Sequence, residues 1–219
     1  MTDAELARAY LPDVHYDEAE TIPLRAVGYT VARTDMPSPS FPKRMLLAGA
    51  HAHMTLEYAF YWDYDIQHMY DLEHIWVLLN DQLQVIGAEG SFHGGFMPLG
   101  LTGPLHVENG HVRAYCQPGK HAFLGDGRLF GALPFWRSCC MEDAGGDILV
   151  GGPFQGQIHP KEEDHRRCRA FIRSHLSFEP SLHFVPASAS PVLMPWKELS
   201  EAIPVWVNEE CQRLRALKS

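Results

Sequence analysis

The chain has 219 residues, of which 46% are apolar and 21% charged, and its formal net charge is −9. This composition supports a folded globular protein with an ample core and excludes a disordered or low-complexity chain. The acidic balance argues against a general binder of nucleic acid or of an anionic membrane face, because Lys43-Arg44 and Arg166-Arg167 are too short to form a basic stripe.

The first residues, Met1-Thr2-Asp3-Ala4-Glu5-Leu6, lack the basic start and apolar run of an export signal. No stretch approaches the roughly 18 apolar residues of a membrane helix. A cytoplasmic protein without a membrane span is therefore expected. The five cysteines (Cys116, Cys139, Cys140, Cys168 and Cys211) include no CxxC pair, and buried, reduced thiols are expected for all of them.

In chain order, residues 3–9 predict a short helix ending before Pro12, and residues 22–34 predict a strand. Residues 36–44, MPSPSFPKR, carry three prolines and must form an irregular loop. Residues 55–65 alternate strictly. Tyr58, Phe60, Trp62 and Tyr64 fall on one face, and Glu57, Ala59, Tyr61, Asp63 and Asp65 on the other, as in a half-buried strand. Strands follow at 71–79 and 83–91, joined by the Asn80-Asp81 turn, and at 111–117 after Asn109-Gly110. Helical stripes mark the last third: Cys168, Phe171, Ile172 and Leu176 after Pro160, then Trp196, Leu199 and Ile203. Pro204 is expected to break or restart the helix before a final stripe of Val207, Cys211, Leu214 and Leu217. These elements predict a mainly β fold, an antiparallel β-sandwich with added C-terminal helices. A single domain is expected over 1–219, with the sandwich at about 22–130 and the helical part at about 155–219.

The stretch DYDIQHMYDLEH, 63–74, carries the chemistry: Asp63, Asp65, His68, Asp71, Glu73 and His74 can all ligate a metal. Asp71 and Glu73 share a strand face, roughly 7 Å apart, and His68 lies one short turn earlier. Like carboxylates at this spacing call for a proton or a cation between them. Aspartates also collect at strand ends as turn residues. Each acid alone is explained by a hairpin, whereas the His-x-x-Asp-x-Glu order points to a cation. Oxygen and imidazole donors suit Mg²⁺, Mn²⁺, Zn²⁺ or Fe²⁺ without choosing among them. His74 has the opposite parity and is expected to pack elsewhere.

His93, in Ser91-Phe92-His93-Gly94-Gly95, and His121, after Gln117-Pro118-Gly119-Lys120, both sit at strand ends. If they converge on the carboxylates, either serves as a further ligand or as an acid/base. Arg44 and Lys120 are candidates to hold an anion if their loops reach the site. His51-x-His53 is a weaker second source of ligands. Most of the 13 histidines must be bystanders, among them His106, His111, His159, His165, His175 and His183.

Gln67-His68-Met69-Tyr70-Asp71-Leu72-Glu73 resembles the GHRHDWE heptapeptide of the necrosis- and ethylene-inducing-peptide-like proteins. Ser91-Phe92-His93-Gly94-Gly95 resembles the Ser-x-His-Gly-Gly segment of that family. The resemblance covers about 55–95 and extends toward 125. It implies a β-sandwich and a divalent cation held by His68, Asp71 and Glu73 with an earlier aspartate, Asp63 or Asp65. Gln67, Tyr70 and Leu72 stand where the family has Gly, His and Trp. Family members are secreted toxins that bind sphingolipid headgroups of plant membranes. Without an export signal, this chain is expected to share the fold and the metal but not the toxicity, as an intracellular bacterial branch.

Three functions follow. The first is metal-dependent hydrolysis of a small anionic, phosphoester-like substrate, with His93, His121, Arg44 and Lys120 as the working groups. The second is a non-catalytic module binding a sugar or lipid headgroup through the metal, and the third is a structural ion. A small-molecule ligand is expected in the first two, and a homodimer is left open.

Overall fold

The computed structural model describes residues 1–48 and 52–217. The described strands, in chain order, are β1 (Asp13–Asp17), β2 (Ala26–Ala32), β3 (Met36–Pro37), β4 (Met45–Leu46), β5 (Met54–Tyr64), β6 (Met69–Leu79) and β7 (Val85–Phe92). They continue as β8 (Gly95–Pro98), β9 (Val107–Glu108), β10 (His111–Cys116), β11 (Phe123–Leu124), β12 (Phe184–Pro186) and β13 (Leu193–Pro195). The helices are α1 (Asp3–Ala9), α2 (Glu162–Phe171) and α3 (Trp196–Ala216). A capping box starts α1: Glu5 N donates to Thr2 Oγ1 at 3.3 Å, and Thr2 N donates to Glu5 Oε2 at 2.8 Å.

The strands form two large sheets. One has the order β13-β2-β5-β6-β7-β8; the other has the order β11-β10-β1-β12, with β9 added to β10. The long β5–β6 hairpin is the spine, in register from Met54↔Leu79 to Tyr64↔Met69. Its inner face meets the second sheet, where Phe60 and Trp62 pack on Phe123 of β11 with ring centroids 5.0 and 6.3 Å apart. The sheets approach so closely here that a Cβ on Gly90 of β7 would sit 2.7 Å from the Phe123 Cβ, so only glycine fits.

β5 is buried on both faces rather than half-buried. The alternation is real, but the outer face is also covered. Tyr61 meets Trp206 of α3 at 5.5 Å, and the β3–β4 loop brings Ser40 to within 2.7 Å of Glu57. The proline-rich segment therefore serves as a cover for the sheet. Trp76 Nε1 also donates to Glu57, at 2.8 Å, so this buried acid is well supplied with donors.

The fold is mainly β with added helices, as expected, but the sheets are mixed. β1 pairs parallel with β10, and β13 pairs parallel with β2. β1 carries no strand signal of its own because DVHYD is short and polar; it is held by non-local partners, β10 on one side and β12 on the other. β2 is shorter than the expected 22–34. Pro204 does not break α3. The stripe Leu199, Ile203, Val207, Cys211 and Leu214 stays buried along the whole helix, and that burial outweighs the lost backbone hydrogen bond. No described helix is long and apolar enough to cross a membrane.

Candidate metal centre

The turn from β5 to β6 is organised by Asp65. Its Oδ1 accepts from the backbone N–H groups of Gln67 and His68, at 2.5 and 2.6 Å, and Asp65 N donates to His68 O at 2.8 Å. This is an aspartate-stabilised turn, and it fixes where Oδ2 points. That second oxygen faces His68 Nε2 at 3.0 Å and also contacts the Lys120 ammonium.

His68 Nδ1 lies 2.8 Å from the Tyr70 carbonyl oxygen. A carbonyl only accepts, so Nδ1 carries a proton and Nε2 is the nitrogen turned toward Asp65. A lone pair on Nε2 and a carboxylate oxygen 3.0 Å apart need a proton or a cation between them. A backbone carbonyl on the far nitrogen is also the usual support of a metal-ligating imidazole.

Asp71 projects from β6 on the inner face, as parity predicts. Its Oδ2 accepts from His121 Nδ1 at 2.9 Å. One ligand atom from each of Asp65, His68 and Asp71 lies within 4.8 Å of the others, a group that could hold one metal ion. Glu73 is next along the same face. It accepts from Ser91 Oγ, which in turn accepts from His74 N at 2.6 Å.

The electrostatics follow from burial. Burial would raise the Asp65 carboxyl, but the hydrogen bonds and charges of His68 and Lys120 outweigh it and hold Asp65 well below the usual carboxylate range. The same pairing raises His68 and Lys120 against the opposing effect of their own burial. Among the described residues Glu73 has no such cation in contact, and burial with the neighbouring Asp71 charge pushes it up to about 8.

The loop after β10 brings the second sheet to the site. Gly119 has φ +65°, and a Cβ there would fall 2.9 Å from both Ile66 Cβ and Cys140 Sγ. Its N–H donates to Glu20 Oε2 at 2.7 Å. His121 follows at φ +57°, fully buried, with its ring lying flat on the Trp62 indole. Its Nε2 has no hydrogen-bond partner among the described residues. His121 therefore supports Asp71 from behind rather than facing solvent. His93, exposed at the end of β7, lies within the field of Lys120, Asp65 and Asp71, and burial followed by the Lys120 charge lowers it.

Other sequence candidates lie elsewhere. Of the two aspartates left open, Asp65 joins the group. Asp63 points to the opposite face, where it accepts from Arg25 Nη1 at 2.7 Å and Tyr61 Oη at 3.1 Å. Arg44 does not reach the site. It is ion-paired with Glu89 and lies 3.9 and 4.2 Å from the ring centres of Trp76 and Phe96, on the outer face. His74 packs on that face too, as expected, stacked on Trp76 with its Nε2 2.9 Å from Ser40 Oγ. His51 lies outside the described residues. His53 N donates to Leu79 O at 2.8 Å, at the far end of the hairpin. Two supporting residues were not foreseen in their roles. Ser91 was visible only as part of a motif, and Glu20 left no local signal because it meets Gly119 from 99 positions away.

No family model matches the chain, and no curated protein matches it. Among solved structures, it is similar to Necrosis and Ethylene inducing Protein 2 from the causal agent of cocoa's witches' broom disease, at 18% identity and a TM-score of 0.38. The match covers 56% of this chain and 67% of that one. The functional reading rests on the site's own geometry.

Proposed function

We propose that this protein binds one divalent cation through Asp65, His68 and Asp71, with Glu73 as a further ligand once it loses its proton. The observation that carries this reading is the His68 Nε2 to Asp65 Oδ2 approach of 3.0 Å, with Nδ1 already committed to a carbonyl. Two carboxylates and an imidazole suit Mg²⁺, Mn²⁺, Zn²⁺ and Fe²⁺ alike. Among the described residues the five cysteines are free, which suits a reducing, cytoplasmic setting.

A second reading, hydrolysis of a small phosphoester-like substrate, is favoured by one observation. His93 is exposed beside the acids with its pKa lowered, so its imidazole is neutral near pH 7 and able to take a proton from water. The bound ion would supply charge to polarise a phosphoryl oxygen. His121 is a positioning residue in this reading and not the acid/base, because its ring is fully buried and spent on Asp71.

The test is elemental analysis of the purified protein after incubation with each metal and dialysis, beside His68→Ala and Glu73→Ala. A single equivalent in the wild type, lost in His68→Ala and weakened in Glu73→Ala with circular dichroism unchanged, supports the centre. A wild type that retains none of the four metals refutes it. A phosphoester panel with His93→Ala then separates hydrolysis from binding.

A further inference from the structure

Lys120 and His68 compete for one oxygen. The Lys120 ammonium and His68 Nε2 both approach Asp65 Oδ2, while Oδ1 is occupied by the two backbone N–H groups of the turn. A carboxylate oxygen has two lone-pair positions. An ion held between Oδ2 and His68 Nε2 takes the place of the His68 proton and meets a second positive charge, the Lys120 ammonium, on the same oxygen.

His68 stays as a ligand, so the group that yields is Lys120. His68 is held by its Nδ1 hydrogen bond to Tyr70 O and by the turn that Asp65 itself caps. Lys120 reaches in on a flexible four-carbon stem with 15% of its side chain exposed. Its backbone cannot follow, because it lies between left-handed Gly119, anchored on Glu20, and left-handed His121, anchored on Asp71. Once off Asp65, the ammonium stays within reach of the mouth. Besides Asp65, the Asp71 charge and then Cys139 act on the ammonium, which in turn lowers His93. Asp71 and Glu73 face the same cation site.

We propose that Lys120 is a tethered competitor for the cation site. When a divalent ion binds, Lys120 swings off Asp65 and becomes the anchor for a small oxyanion at the mouth, so that cation and oxyanion bind together. This rests on the cation reading above and adds the ligand class. A lysine left beside a divalent ion concentrates positive charge at the opening, and a phosphate- or sulfate-like anion relieves it. Each ligand then tightens the other by the same factor.

The experiment is Mn²⁺ titration by calorimetry on the full chain, in sodium sulfate and in sodium chloride of equal ionic strength. It compares the wild type with Lys120→Met and Lys120→Arg, with near-ultraviolet circular dichroism to confirm folding. Lys120→Gln replaces the Met variant if that fails to fold. In the wild type, sulfate tightens Mn²⁺ binding several-fold. Lys120→Met binds Mn²⁺ roughly tenfold tighter in chloride, because the competing charge is gone, and sulfate adds nothing further. Lys120→Arg keeps the sulfate dependence. A Lys120→Met protein that binds Mn²⁺ no tighter than wild type, or that keeps the sulfate effect, overturns the proposal while leaving the cation site standing. Failure of all three proteins to take up Mn²⁺ removes the cation reading and this inference with it.

Discussion

The imidazole of His121 lies flat on the indole of Trp62, with centroids 4.2 Å apart and planes 6° apart, while its Nδ1 donates to Asp71 at 2.9 Å. The stack fixes the ring plane, and the ring plane fixes the direction of the hydrogen bond. Trp62 and Asp71 are register partners on β5 and β6, so one strand pair supplies both the platform and the carboxylate. Replacing His121 by Phe keeps a stacked ring and removes the donor. Cation affinity is expected to fall about 10- to 100-fold, as for other groups that orient a ligand. Titration calorimetry on His121→Phe reads this directly, and unaltered affinity would show that Asp71 is oriented without His121.

Asp63 and Asp65 are two residues apart, yet they make opposite predictions. Asp65→Asn keeps an oxygen for the turn but places an amide donor against His68 or Lys120. Breaking a buried pair of this kind costs about 3–5 kcal/mol, and cation binding should vanish. Asp63 and Arg25 each expose about a third of their side chains. Asp63→Asn should cost about 1 kcal/mol or less and leave cation affinity unchanged. Urea denaturation and Mn²⁺ titration of the two variants side by side check both claims.

That contrast also shows where sequence reasoning stops. Period-two alternation placed Asp71 and Glu73 on one face and His74 on the other, because strand parity is local. It could not choose between Asp63 and Asp65, although the two share parity. Asp65 lies just past the last residue of β5, and its direction is set by a turn rather than by the strand. Arg44 was wrongly aimed for a related reason: its loop crosses the outer face, a tertiary fact no local pattern carries. The parallel β1–β10 pairing joins residues about a hundred positions apart and is equally invisible locally.

Arg44 provides a test on the other face. Its guanidinium is packed against two aromatic rings and paired with Glu89. Arg44→Met should destabilise the fold by roughly 2–3 kcal/mol, from the lost cation–π contacts and the unpaired Glu89. Cation affinity should not change, since the sheet separates Arg44 from Asp65. Thermal unfolding with and without Mn²⁺ distinguishes this: the transition moves down, and the shift produced by metal stays the same. A variant that loses the metal-induced shift would place Arg44 in the site after all.

Glu73 gives the site a pH signature. Its carboxyl is pushed up to about 8 from an ordinary value of 4.5. Between those values the cation-free native state holds a proton that the unfolded chain has released. Stability therefore falls as pH rises through this window, by at most about 1.4 kcal/mol per pH unit for one group, and this contribution levels off above the folded value. The Ser91 hydroxyl, which accepts from His74 N and donates to Glu73, favours the ionised acid, but burial and the Asp71 charge outweigh it. A ligated Glu73 must give its proton up, so cation binding at pH 7 releases it. Calorimetry in buffers of different ionisation enthalpy counts the protons released. His68 contributes to that count as well, because its raised imidazole also loses a proton to ligation, so the informative quantity is the difference between wild type and Glu73→Gln. The wild type should release close to one proton more. An identical count would mean that Glu73 stays protonated beside the ion and that Asp65, His68 and Asp71 bind it alone.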